Sequence, residues 1–198
     1  ALRAACVAVC ALLLASCGVS NVVIQGSYPT PNIASLPLNV AVVYEEALRD
    51  FHHIEYSETG NEEYNIASGE SHVDLFNAVL PAMFDSVVEV ESVEAATALG
   101  VDAIFIPGID EFQLALPNKT KLEVYEVWIR YNMRFLAGDG GPIADWVLTS
   151  YGKTPTQTMR TVDSAINDAA VVALRDLASS FSLSFGQVPE VRDWIASR

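Results

Sequence analysis

Segment 125–135 constrains the fold most, because its residues alternate between two kinds. One set is apolar or aromatic: Tyr125, Val127, Ile129, Tyr131, Met133 and Phe135. The other set is mainly polar: Glu126, Trp128, Arg130, Asn132 and Arg134. Successive side chains of a β-strand point to opposite faces, so this pattern predicts a strand in a sheet with one covered face. The chain must therefore supply other elements that cover the apolar face.

The segments around this strand predict its partners. A glycine-rich turn, Gly138 to Gly141, leads into a second β-rich run, so 122–152 is predicted to form a long β-hairpin. Further strands are expected at 38–44, 52–57, 64–67 and 86–90, and in the run 101–116, which Pro107 and Gly108 should bend.

Two segments predict helices that can cover the sheet. Segment 71–84 places apolar residues on one broad face, and Ser71 with Asp74 is typical of a capping box at its start. Segment 161–181 has an apolar stripe at helical spacing. We therefore expect an α+β fold, an antiparallel or mixed β-sheet with two main helices packed on one face.

The amino-terminal segment has the order of a secretory signal. Arg3 precedes an apolar run, Val7 to Leu14, which is shorter than the roughly 20 residues that a transmembrane helix needs. The run ends in Leu14-Ala15-Ser16-Cys17, which resembles the lipobox of bacterial lipoproteins. The alternative is an ordinary signal peptide whose Cys17 merely lies near the cleavage site.

The lipoprotein resemblance implies a location and a domain organisation. It implies diacylglyceryl and acyl (palmitate-type) chains on Cys17. In this class of protein an aspartate directly after the lipidated cysteine tends to retain the protein in the inner membrane. This chain has Gly18 there, so the resemblance favours the outer membrane, on its periplasmic face. The expected organisation is a signal peptide over 1–16, a lipidated flexible tether over 17–37, and a single α+β periplasmic domain over 38–198. Segment 26–32, rich in turn formers, suggests the tether.

The charge balance excludes some partners. The chain has 25 acidic and 11 basic residues, a net charge of −14, so it is poorly suited to nucleic acid, whose phosphates require Lys or Arg contacts. The acidity is typical of a soluble, self-repelling surface, although a docking face for a basic partner is an alternative.

The order of elements resembles small envelope lipoproteins of the YajG, CsgG and TolB-amino-terminal-like group. The resemblance rests on strand residues 40–43, on the run 103–108, on the hairpin through Gly140 to Ile143 and on the Ala-rich helix 162–181. It implies an envelope accessory protein that works by binding or assembly. An obvious pore-forming hairpin of the CsgG kind is missing, so channel activity is not implied.

Catalytic patterns are hard to find. The chain has no G-x-S-x-G motif, and no thiol would remain after signal cleavage and lipidation of Cys17. His52 and His53 should point to opposite faces of a strand, and a zinc site from one of them with His72 and Glu55 is the weaker alternative to solvated or hydrogen-bonded histidines. We therefore expect no enzyme activity, no cofactor and no metal.

Trp128 is the candidate for a binding surface. It is expected to project with the polar side chains, between Glu126 and Arg130, and Trp and Arg are enriched at interaction hot spots. Alternatively, a loop or the carboxy-terminal segment with Trp194 covers Trp128. Trp146 is expected in the core.

These patterns predict a non-enzymatic, lipid-anchored envelope protein that binds a protein partner, forms a homo-oligomer or supports assembly of an envelope complex. The alternative is a lipid- or lipopolysaccharide-binding accessory component of an envelope transport system. A deep apolar cavity between sheet and helices would favour that alternative.

Overall fold

The computed structural model describes residues 18–156 and 161–198, so the predicted signal peptide and Cys17 lie outside the described residues. The strands are β1 (Gly18–Val23), β2 (Leu36–Val43), β3 (His52–Tyr56), β4 (Glu62–Ala67), β5 (Phe84–Val90), β6 (Ala103–Ala115), β7 (Val124–Ala137) and β8 (Pro142–Pro155). The helices are α1 (Glu46–Arg49), α2 (Gly69–Met83), α3 (Val93–Leu99), α4 (Pro117–Thr120), α5 (Val162–Ser184) and α6 (Pro189–Ala196), and a 3₁₀ turn (Phe185–Gln187) joins α5 to α6.

The larger sheet has five strands in the order β5-β2-β6-β7-β8. Strands β5, β2 and β6 run parallel, whereas β6, β7 and β8 are antiparallel, so the sheet is mixed. The predicted hairpin is confirmed as β7 and β8. Strand β6 is continuous through Pro107 and Gly108, with a register shift between Ile109 and Glu111.

Helices α2 and α5 cover one face of this sheet, as the sequence predicts. The alternating residues of β7 from Val127 to Phe135 are buried beneath them. Aromatic rings fill the layer between helices and sheet: the ring centroid of Phe181 lies 5.8 Å from that of Phe76 and 5.1 Å from that of Phe105. The α+β class with two main helices on one face is therefore confirmed.

Part of the opposite face is covered as well. Helix α3 places Ala96 against Ala41 and Val43 of β2 and against Ile104 and Ile106 of β6, which together form a second buried cluster. The segments 40–43 of β2 and 103–106 of β6 are thus covered on both faces, which explains why they are continuous apolar runs rather than alternating ones. The far part of this face, on β7 and β8, is not covered by α3.

The expected flexible tether is wrong for the described residues after Cys17. Strand β1 pairs in parallel with β4, in a three-stranded sheet of order β1-β4-β3. Val22 and Ile24 are buried in the core, and Arg175 of α5 donates hydrogen bonds to the carbonyl of Ser27. Turn-forming residues dominate 26–32, but the short apolar run before them has a buried surface to join, which outweighs local flexibility.

Helix α2 begins before the predicted capping box. Ser68 occupies the N-cap position, and the backbone of Gly69 passes so close to Arg49 that a Cβ on Gly69 would lie 1.8 Å from the Arg49 carbonyl oxygen. The N–H groups of Ser68 and Gly69 both donate to the carbonyl of Phe51. Ser71 lies inside the helix, and its hydroxyl donates to the carbonyl of Ile24 at 2.5 Å.

Candidate functional site

The uncovered part of the larger sheet brings the predicted binding residues together. We call it the outer face: the side chains of β6, β7 and β8 that point away from α5. The strand register aligns Gln113, Trp128 and Tyr151 in one row, and Glu111, Arg130 and Thr149 in the next. Trp128 is 45% exposed at the centre of this face. Local alternation puts it there, because Val127 and Ile129 on either side face the core.

Trp128 is held by neighbours that are themselves fixed. Its ring packs on Tyr151, with centroids 4.4 Å apart and planes tilted by 43°. The Tyr151 hydroxyl donates to Oε1 of Glu126 at 2.5 Å, and this hydrogen bond raises the pKa of Tyr151. The backbone N–H of Tyr151 donates to Asp176 of α5 at 3.0 Å. The aromatic pair is therefore pre-organised, which lowers the entropic cost of binding.

Arg130 lies beside Trp128 and has acidic neighbours at longer range. Its Nε lies 3.6 Å from Oδ2 of Asp110, and its Nη1 lies 3.8 Å from Oε2 of Glu111. These are exposed ion pairs, which contribute roughly 0–1 kcal/mol to stability. The guanidinium therefore retains donors for another molecule. A shallow cleft of about 140 Å³ lies here, bordered by Arg130, Trp128, Glu111, Gln113 and Thr149.

The other tryptophans do not cover this face. The Trp194 ring lies 5.7 Å from that of Phe135, on the helix-covered side of the sheet, and the guanidinium of Arg198 lies over it. Trp146 is partly buried and packs against Phe185, as predicted. The alternative, that a loop or the carboxy-terminal segment with Trp194 covers Trp128, is therefore wrong within the described residues, where Trp128 is exposed.

His72 forms a buried hydrogen-bonded chain with Ser68 and Tyr131, two partners that the sequence pattern does not identify. Its Nε2 lies 3.1 Å from the Ser68 hydroxyl, and its Nδ1 lies 2.9 Å from the Tyr131 hydroxyl. All three residues are buried, and burial lowers the pKa of His72 to about 3. A Ser–His pair can activate a nucleophile, but this one lies inside the core, away from the surface where a substrate would arrive. Its contacts stabilise the junction of α2 with β7.

The remaining histidines point to opposite faces of β3, as predicted. His52 is exposed, whereas His53 is half-buried with its ring 5.0 Å from that of Phe112. His53 Nε2 lies 3.5 Å from Glu55, which also accepts a hydrogen bond from Lys119 at 2.6 Å. Burial opposes ionisation of Glu55, but the bonds from Lys119 and the Tyr56 backbone outweigh it and lower the pKa. Within 18–156 and 161–198, His, Cys, Asp and Glu form no group suited to a metal ion.

Two residues of the site, Tyr151 and Asp176, could not be identified from the sequence pattern. Tyr151 lies in the predicted hairpin, but its position opposite Trp128 depends on the register of β7 and β8. Asp176 reaches the site only because α5 crosses β8. The nearest sequence signal is the polar face of the predicted helix.

Comparison with known proteins supports the fold. No protein-family model and no curated protein matches this sequence. A crystal structure of a Xanthomonas campestris protein of the DUF330 family matches with a TM-score of 0.55 and 11% identity, over 91% of this chain and 99% of that one. At this identity the likeness shows the fold alone.

Solved structures with lower TM-scores include bacterial lipoproteins. A minor lipoprotein from Acinetobacter baumannii matches at 11% identity and a TM-score of 0.42, over 77% of this chain and 93% of that one. A PelC dodecamer from Paraburkholderia phytofirmans matches at 13% identity and a TM-score of 0.38, over 79% and 93%.

None of the helices in the described part of the chain combines the length and the apolarity that crossing a membrane requires.

Proposed function

We propose that this is a lipid-anchored bacterial envelope protein that binds a protein partner, or a second copy of itself, through the outer face. The exposure of the Trp128 side chain is the observation that most supports this binding surface. A large aromatic side chain is exposed, held by Tyr151 and flanked by Arg130 and Glu126. Interaction hot spots have this composition, an aromatic and arginine centre with a polar surround.

The anchor in this proposal is lipid on Cys17, in the outer membrane on the periplasmic side. The lipobox-like residues 14–17 support it. The YajG, CsgG and TolB-amino-terminal-like group is the finer assignment that we propose for the chain. Its members would share an accessory role in the envelope rather than a reaction.

The proposal assigns no enzyme activity and no cofactor. It is supported by the enclosure of His72 and Ser68 in the core, where they serve packing and hydrogen bonding.

Lipid or lipopolysaccharide transport is the weaker alternative. It would require a deep apolar cavity between the sheet and the helices. The fully buried rings of Phe76, Phe105 and Phe181 occupy that layer. The partner-binding proposal needs no such cavity.

Photocrosslinking in membranes tests the proposal. A photoreactive residue at Gln113 would lie beside Trp128, whereas the same residue at Leu183 would lie exposed on α5. We expect a discrete protein adduct from position 113, loss of most of it in a Trp128→Ala background, and no such adduct from position 183.

Two measurements make the result decisive. The mass of the adduct distinguishes a second copy from a different protein. Trp128→Ala should still unfold in one cooperative thermal transition, because it loses one surface aromatic contact of about 0.5–1.5 kcal/mol and the partial burial of an exposed ring, and leaves the core intact. An adduct at position 113 that persists unchanged in the folded Trp128→Ala variant would refute the assigned surface.

A further inference from the structure

The outer side of the smaller sheet is an exposed surface with an unusual composition. We call it the small-sheet face. Its side chains come from alternate positions of β1, β4 and β3, aligned by the register: Val19, Asn21, Val23, Glu63, Asn65, Ala67, His52, Ile54 and Tyr56. The four large apolar side chains among them are each about half exposed: Val19 55%, Val23 54%, Ile54 51% and Tyr56 49%. Apolar groups concentrated on one sheet face mark a surface that a membrane or another molecule covers.

The small-sheet face is also poor in charge. Glu63 supplies its one carboxylate, and none of the nine residues that define the face is Lys or Arg. This contrasts with a chain that has 25 acidic residues. Glu55 of β3 points the other way and pairs with Lys119 beneath the sheet. A face with so little charge can approach lipid headgroups without the repulsion that the rest of the acidic surface would produce.

The position of the small-sheet face relative to Cys17 suggests what covers it. Strand β1 begins at Gly18, and its first residue already pairs in register with Glu62 of β4. Consecutive Cα atoms lie 3.8 Å apart, so Cys17 is one peptide unit from the sheet. A lipid on Cys17 would hold this sheet, rather than the outer face of the larger sheet, at the membrane.

We infer that the small-sheet face lies against the lipid surface in which Cys17 is anchored, with Val19, Val23, Ile54 and Tyr56 in contact with the headgroup region. This inference rests on the proposed lipidation of Cys17. Tyr56 suits the position, because tyrosine presents an apolar ring and a hydroxyl that can remain hydrated. The short link between anchor and sheet then sets the orientation of the whole domain.

Depth-dependent fluorescence quenching tests the inference on the full, lipidated protein in vesicles of phosphatidylethanolamine and phosphatidylglycerol. Ile54→Cys and Val147→Cys are matched sites, since both are strand residues and their side chains are 51% and 52% exposed. Each variant is labelled with an environment-sensitive fluorophore. A nitroxide on the upper acyl chain of the lipid should quench the label at 54 several-fold more than the label at 147, and the emission at 54 should shift to shorter wavelength.

The outcomes separate this inference from the proposed anchor. Vesicle-bound protein whose labels at 54 and 147 are quenched equally would overturn the inference and leave the anchor intact. A label at 54 that is shielded from iodide in water but not reached by the lipid nitroxide would overturn it in favour of a second copy on this face. Protein that does not float with the vesicles would overturn the anchor and the inference together.

Discussion

Replacement of His72 by glutamine should change how the stability of the protein depends on pH. His72 is fully buried between Ser68 and Tyr131, and burial lowers its pKa from 6.5 to about 3. In the unfolded chain the imidazole takes up a proton as the pH falls through its ordinary pKa, whereas the folded protein does not. The unfolded state then binds more protons, so His72 costs the native protein stability as the pH falls from neutral towards its folded pKa.

The expected size of this effect follows from the two pKa values. Proton linkage with these values predicts a loss of roughly 2 kcal/mol in the free energy of unfolding between about pH 8 and about pH 5. Acidification also relieves repulsion among the many carboxylates, which acts in the opposite direction. The contribution of His72 is therefore isolated only by comparing the free energies of unfolding of the native protein and the variant at each pH.

Urea unfolding followed by circular dichroism measures that difference. The variant His72→Gln loses part of the buried hydrogen bonding, so we expect it to be less stable than the native protein at pH 8, by about 1–3 kcal/mol. That deficit should shrink by about 2 kcal/mol at pH 5, because glutamine does not titrate. His52→Gln, at an exposed position, controls for loss of an imidazole. A deficit of His72→Gln that is the same at both pH values would refute the argument.

Two further predictions concern packing in the core. Gly152→Ala should destabilise the protein by about 1–3 kcal/mol, because overpacking has that cost and a Cβ there would lie 2.1 Å from the Ala169 carbonyl oxygen of α5. Gly108→Ala, where the nearest atom is 3.7 Å away, is the matched control, and equal melting temperatures would contradict the close contact of α5 with β8. Phe181→Ala should cost about 3–5 kcal/mol in urea unfolding, since Phe181 is fully buried among aromatic rings. Leu183→Ala, exposed on the same helix, should change stability by about 0.5 kcal/mol or less, and similar losses for both variants would contradict the assigned core.

Local patterns allowed much of the larger sheet to be predicted. The alternation in 125–135 identified β7 and separated Trp128 and Arg130 from the buried residues. The glycine-rich turn identified the hairpin with β8, and helical periodicity identified α2 and α5 to within a few residues. These features depend on neighbours a few positions apart, so they can be read from the chain.

The candidate site could be predicted only in part. Trp128, Glu126 and Arg130 were identified because they belong to one strand. Tyr151 and Asp176 were missed because their contacts depend on strand register and on the crossing of α5 over β8. The capping box at Ser71 was wrong for a related reason, since a distant contact between Gly69 and Arg49 sets the start of α2.

The sequence by itself determined the hairpin of β7 and β8, the helices α2 and α5 to within a few residues, and which side of β7 faces the core, because period and turn chemistry act over short distances. Tertiary structure alone decided that Val22 and Ile24 join the core, that Trp194 packs beside Phe135 and leaves Trp128 exposed, and that His72 is enclosed. In each of these cases the outcome depends on which remote element covers a surface. That choice is made by the burial of apolar area across the whole fold, and no local pattern of residues specifies it.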